Sequence, residues 1–218
     1  MKPKIIILSA ALIIAAALFL YIDFNSYAVG SKTVDHTDGG LILSITAFDG
    51  KNESEPFVKC LGHAWISIEN KTGHPVRIMD NEVKDCSEIT FSVWAISDHF
   101  GVVFNLEPHF ISEYGRYVGR KSLSVNIDET KLEAVEDYIA RNDRWELGKN
   151  CSYWSIGLWN EVVGDAYRLK TQTLVYTPTR LIKSLDEYDC VETDRDFSDC
   201  GEIFFYINGE RTELDLCS

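Results

Sequence analysis

Two short stretches carry residue types that could do nucleophilic chemistry together. In Lys149-Asn150-Cys151-Ser152-Tyr153-Trp154 a cysteine stands in the first turn of an expected helix, directly after Asn150, a good N-cap residue. The free N–H groups and the dipole at such a helix end stabilise negative charge, and both pull a thiol below its usual pKa of about 8.5. The backbone N–H groups of Cys151 and Ser152 could then hold an oxyanion. A nucleophilic cysteine also needs a base near in space, not in sequence. Of the five histidines, His36 lies in a polar spacer, His74 in a Thr-Gly-His-Pro turn, and His99 and His109 in loops after strands. His63, in Gly62-His-Ala-Trp-Ile-Ser-Ile68, sits on an expected strand, where a sheet can hold its ring fixed.

The bland readings stand beside this one. A helix-start cysteine is more often buried or disulfide-bonded, and a strand histidine is more often a structural side chain. The six cysteines, Cys60, Cys86, Cys151, Cys190, Cys200 and Cys217, would be used up by three bridges. A working thiol would leave five, so at least one more would be unpaired or would bridge two chains. Spacing does not give the connectivity.

The elements that must position the pair follow from periodicity. Residues 41–48, 62–69, 91–96, 102–106 and 122–127 are expected as strands of a mostly antiparallel sheet. Thr130-Lys-Leu-Glu133 is a capping-box signature, and Leu132, Val135 and Ile139 continue at helical spacing until Asn142. A helix beginning at Asn150 or Cys151 carries the stripe Trp154, Leu158, Trp159 and Val162, with Gly164 placed for a left-handed C-cap. Thr177-Pro178 reads as N-cap and first residue of a short helix through Leu185. Residues 203–207 and 211–216 flank Asn208-Gly209, a strong hairpin signal, inside an acidic extension over 186–218. The class expected is α+β: about five antiparallel strands packed on helices, one domain over 41–218, with the hairpin appended.

Upstream, residues 5–22 form an uncharged apolar run behind Lys2 and Lys4. Eighteen helical residues span about 27 Å, enough for a signal anchor with a cytoplasmic N-terminus, while Ser26-Tyr27-Ala28 would suit cleavage of a signal peptide. Either way 1–28 sends the rest out of the cytoplasm, and 29–40 is the spacer. The whole chain has 21 basic and 34 acidic side chains; without Lys2, Lys4 and Asp23 the exported part has 19 and 33, a net charge near −14. That charge argues against a nucleic-acid partner.

Smaller features have structural readings. Asp194-Arg-Asp196-Phe-Ser-Asp199 lacks the spacing of a calcium loop and reads as a solvated acidic loop, so no metal and no cofactor is expected. Trp145, Tyr153, Trp154 and Trp159 could line a groove, although at helical spacing they are more often core. Asn52, Asn70 and Asn150 each begin a glycosylation tripeptide.

Gly-His-Ala-Trp-Ile on an early strand, Asn-Cys-Ser before a helix with Leu158-Trp159-Asn160, and Thr177-Pro178-x-x-Leu181 together resemble the circularly permuted, NlpC-like branch of the papain superfamily, which includes lecithin:retinol acyltransferase. The similarity covers residues 41–185. In that branch the histidine strand precedes the cysteine helix, as here. The resemblance implies a papain-like domain with Cys151 as nucleophile, His63 as base, and a third polar residue orienting the imidazole. Glu107, Asn105 and Ser92 are candidates for the third, with Glu107 or Asn105 preferred because their strand ends in polar loop. The expected function is an extracytoplasmic thiol hydrolase or acyltransferase, secreted or membrane-anchored through residues 5–22, acting on peptide or acyl material of the cell envelope such as peptidoglycan stem peptides. The alternative is a non-catalytic surface-binding module on the same frame, with Cys151 buried or bridged.

Overall fold

The computed structural model describes residues 32–34, 40–51, 62–95, 101–146, 148–170, 176–198 and 200–214. Among these it is an α+β protein built on one large antiparallel sheet. The strands are β1 (Gly40–Phe48), β2 (His63–Lys71), β5 (Glu88–Val93), β6 (Val102–Phe104), β7 (Lys121–Ile127), β8 (Glu192–Thr193), β9 (Phe204–Ile207) and β10 (Glu210–Glu213), ordered β10-β9-β6-β5-β2-β1-β7-β8. A separate small hairpin pairs β3 (Val76–Ile78) with β4 (Asn81–Val83).

Alternation explains the layers. Leu41, Leu43, Ile45 and Ala47 of β1, with Ala64, Ile66 and Ile68 of β2, enter the main core. That core is closed by α2 (Leu132–Arg141), α3 (Cys151–Val162) and α4 (Pro178–Leu185), through Val135, Trp154, Trp159 and Leu181. The intervening residues point to the other face, and most are polar yet buried. Their hydroxyls pair across strands in register, Ser44 with Ser124 and Thr46 with Ser122, each at 2.8 Å.

This second face is covered as well. Helix α1 (Leu106–Tyr114), Tyr117 and Phe197 pack over Phe48, Trp65 and Trp94 in a small aromatic core. The segment after β8 is latched down by Arg195, which pairs with the buried Glu88 and donates to Ser67 Oγ at 3.0 Å. Ser198 N–H closes the latch on Glu88 at 3.1 Å.

Several expectations are corrected. The sheet has eight strands, not about five, because the C-terminal hairpin is not appended but joins the edge through β9 on β6. Helices lie on both faces, since residues after 104 turn into α1 instead of loop. Asn105 makes that turn in the left-handed region (φ 59°), its Oδ1 accepting from Thr90 N–H at 3.0 Å. Helix α3 ends at Val162 with Val163 as an extended C-cap, and Gly164 is extended instead of left-handed. A 3-10 turn, Glu129–Lys131, precedes α2, and no side-chain cap bond forms there. The caps at Asn150 and Thr177 and the Asn208-Gly209 turn, with both φ positive, form as the sequence indicates.

Lys32 N–H bonds Glu187 O at 2.9 Å and Val34 is buried, so part of the stretch read as a spacer packs against the end of α4. Residues 5–22 and the cleavage motif lie outside the described residues, and no described helix is long and apolar enough to cross a membrane. Asn70 is fully buried and spends its amide on His74 O and Val83 O, so it is no glycan acceptor in the fold; Asn52 lies outside the described residues.

Gly62, just before His63, has φ +77°, and a Cβ there would meet Phe48 O at 2.7 Å and Pro178 at 3.0 Å. Gly62→Ala is therefore expected to cost about 1–3 kcal/mol, read as a lower Tm, and to disturb the start of β2.

Candidate active site

Four elements converge at the start of β2. The β2–β5 ladder runs only as far as Ile66 opposite Phe91, although β2 extends back to His63 and β5 on to Val93. The two strands are bridged past that point by Ser92 Oγ, which donates to Ala64 O at 2.7 Å. Ala64 N–H is thereby left to point at the Cys151 sulfur, which also receives Ser152 N–H.

Cys151 is N1 of α3, as its sequence context requires. Asn150 caps the helix by accepting from Tyr153 N–H at 3.1 Å and donates its own amide to Tyr176 O at 2.9 Å. The cap takes the Tyr153 donor, while the N–H groups of Cys151 and Ser152 have no carbonyl one turn back to bond.

The Cys151 sulfur sits beside the His63 ring, close enough for each group to shift the other's protonation. On the other side, His63 Nε2 lies 2.9 Å from Glu107 Oε1. The nitrogen left for the sulfur is Nδ1. Burial by itself would depress the imidazole, but the Cys151 charge and hydrogen bond, followed by those of Glu107, outweigh it and raise His63 to about 9. Burial would likewise raise the thiol; the His63 charge, its hydrogen bond and the two backbone N–H groups reverse that and lower it. Both shifts favour the thiolate–imidazolium form of the pair.

Of the residues singled out by sequence, Cys151, His63 and Glu107 are brought together, with Ser152 N–H at the sulfur. Asn105 is not part of the set: its amide donates to Glu202 O at 3.0 Å and its oxygen caps Thr90. Ser92 holds the neighbouring peptide and does not touch the imidazole's hydrogen-bonding nitrogens. Glu107 stands in the first turn of α1, not at a strand end, and is fully buried.

Three participants were missed. Trp94 Nε1 donates to Glu107 Oε1 at 2.9 Å, Thr90 Oγ1 to Oε2 at 3.0 Å, and Ala64 offers its N–H to the sulfur. The period-two alternation Thr90, Ser92, Trp94 opposite Phe91 and Val93 was the available signal for the first two.

The other candidates resolve structurally. Trp154 and Trp159 are core, donating to Asn142 O and Tyr167 O. Tyr153 is partly exposed beside Tyr176, and Trp145 packs on the main core. Asp194 holds Gly119 N–H and Arg120, and no group of three or more His, Cys, Asp or Glu among the described residues is arranged to hold a metal. Cys86, Cys151 and Cys190 are free thiols, so three bridges using every cysteine are not formed; Cys60 and Cys217 lie outside the described residues. No family model, curated protein or solved structure matches this chain.

Alkylation of Cys151 by iodoacetamide should therefore have its midpoint below the ordinary thiol value of about 8.5. His63→Ala should return that midpoint upward, checked by mapping the label by mass spectrometry across pH.

Proposed function

We propose that this chain is a thiol hydrolase or acyl-transfer enzyme of papain-like type, in the permuted NlpC-like branch, in which Cys151 is the nucleophile and Glu107 orients His63. The observation that carries the reading is the continuous set Cys151 sulfur, His63 ring and Glu107 carboxylate, with the thiol free and lowered and the imidazole raised. The order of a histidine strand before a cysteine helix supports the branch. The alternative, a non-catalytic module, supposed Cys151 buried or bridged; Cys151 is unbridged and only part-buried.

The chemistry runs in two halves. The thiolate attacks the carbonyl carbon of an amide or ester, and the carbonyl electrons move to oxygen, which the first-turn N–H groups of α3 receive. The carbonyl re-forms as the leaving amine or alcohol departs with the proton from His63 Nδ1, giving an S-acyl enzyme and a neutral imidazole. Water, or an acceptor alcohol, then attacks as His63 takes its proton, and the thiolate leaves. Since the first half uses the imidazolium, turnover should fall as pH rises through about 9.

The proposed setting is outside the cytoplasm, with residues 5–22 as anchor or signal, and the proposed substrate a peptide bond of cell-envelope material such as a peptidoglycan stem peptide. The support is the apolar N-terminal run and the family resemblance. Incubating the full-length chain with isolated stem peptides, and in parallel with a fatty-acyl ester, tests it. An S-acyl adduct on Cys151 from the peptide, lost in Cys151→Ala and formed about 10²–10⁴-fold more slowly in His63→Ala, is expected. An adduct only from the ester moves the substrate to acyl lipids, and none from either removes the enzyme reading.

A further inference from the structure

We propose that Trp94, assisted by Thr90, is a positioning residue that holds the Glu107 carboxylate against His63 and thereby fixes which nitrogen of His63 faces the sulfur. The inference rests on the Cys151–His63 reading above. Glu107 Oε1 is approached by two groups, His63 Nε2 and Trp94 Nε1, both at 2.9 Å, and Oε2 by Thr90 Oγ1 at 3.0 Å. An indole N–H can only donate. Oε1 therefore spends one lone pair on Trp94, and a carboxylic proton on that oxygen would weaken it as an acceptor. With both oxygens accepting, the ionised carboxylate is the form that satisfies the site, and His63 Nε2 must present its hydrogen to it. Nδ1 then faces Cys151. The Trp94 ring adds a steric wall, its centroid 4.1 Å from that of His63 at 50°.

Few other groups compete for this role. Among the described residues, the titratable side chains facing His63 and Glu107 are Cys151 from α3 and Tyr117 from the loop after α1, whose ring lies 6.0 Å from His63. Phe48 of β1, Trp65 of β2 and Phe110 of α1 complete the aromatic surround. The cations of that loop are turned elsewhere, Arg116 over Phe110 and Tyr114, Arg120 to Asp194 and Phe197. His109 of α1 lies against Phe110 and Tyr114.

Removing a donor should let the Glu107 carboxylate swing away from the His63 ring, which then supports the imidazolium less. The thiolate is then lost earlier on acidification. The test is the pH profile of Cys151 alkylation in the full-length chain, comparing the parent with Trp94→Phe, which keeps a ring but not the N–H, with Thr90→Val, and with Thr90→Ser, which keeps the hydroxyl. The expected result is an acid midpoint raised by about half a unit in Trp94→Phe and Thr90→Val, read as an about threefold lower rate on the acid limb with the plateau unchanged. Thr90→Ser should track the parent. Profiles of Trp94→Phe and Thr90→Val that overlay the parent's, with only a lower Tm, would show plain packing and overturn the proposal while leaving the thiolate pair standing. A parent whose midpoint is not below the ordinary thiol value of about 8.5 overturns both.

Discussion

A carboxyl group with no exposed surface must have partners in place of the water it has lost, and Glu107 has His63, Trp94 and Thr90. Against the cost of burial, the Cys151 charge first and then Glu107 raise the affinity of His63 for a proton, and the charged imidazole in turn lowers the Cys151 thiol. Were Glu107 neutral, the desolvation that opposes both charges would have less to overcome. The site is thus a chain of charges, each of which makes the next tolerable in a place where none would persist alone.

The fold supplies that chain from separate parts of the sequence. Strand β2 brings His63, β5 brings Thr90 and Trp94, α1 brings Glu107, and α3 brings the sulfur. The splay of β2 from β5 beyond Ile66 and Phe91 frees the Ala64 N–H for the sulfur. The polar second face of the sheet makes sense in the same terms. It is buried under α1 and the latched segment around Arg195, so its hydroxyls and carboxylates must satisfy one another, and His63, Trp94 and Glu107 lie at the aromatic end of that face.

The sequence made the local features legible and left the long-range ones hidden. The Asn150 and Thr177 caps, the Asn208-Gly209 turn and the strand character of His63 rest on contacts within a few residues, and they appear where the residue types call for them. Helix α1 was missed because it is short and its apolar spacing is weak, and because Asn105 enters it from a left-handed conformation dictated by Thr90 across the sheet. That omission left Glu107 and Asn105 on equal terms as partners of His63. Only the placement of α1 separates them, since one turn of helix sends Glu107 inward to the ring while Asn105 stays at the strand junction. The strand count fell short for the same reason: β9 joins β6 across about a hundred residues, a pairing no local pattern announces.

The account turns on where one proton resides at rest, and nitrogen NMR of the His63 ring in isotopically labelled protein at about pH 8 reads it directly. Both ring nitrogens should appear protonated, and the shift of His63 should change to that of a neutral ring in Cys151→Ala. A neutral imidazole at that pH in the parent, unaffected by loss of the sulfur, would contradict the thiolate–imidazolium pair on which the proposed chemistry stands.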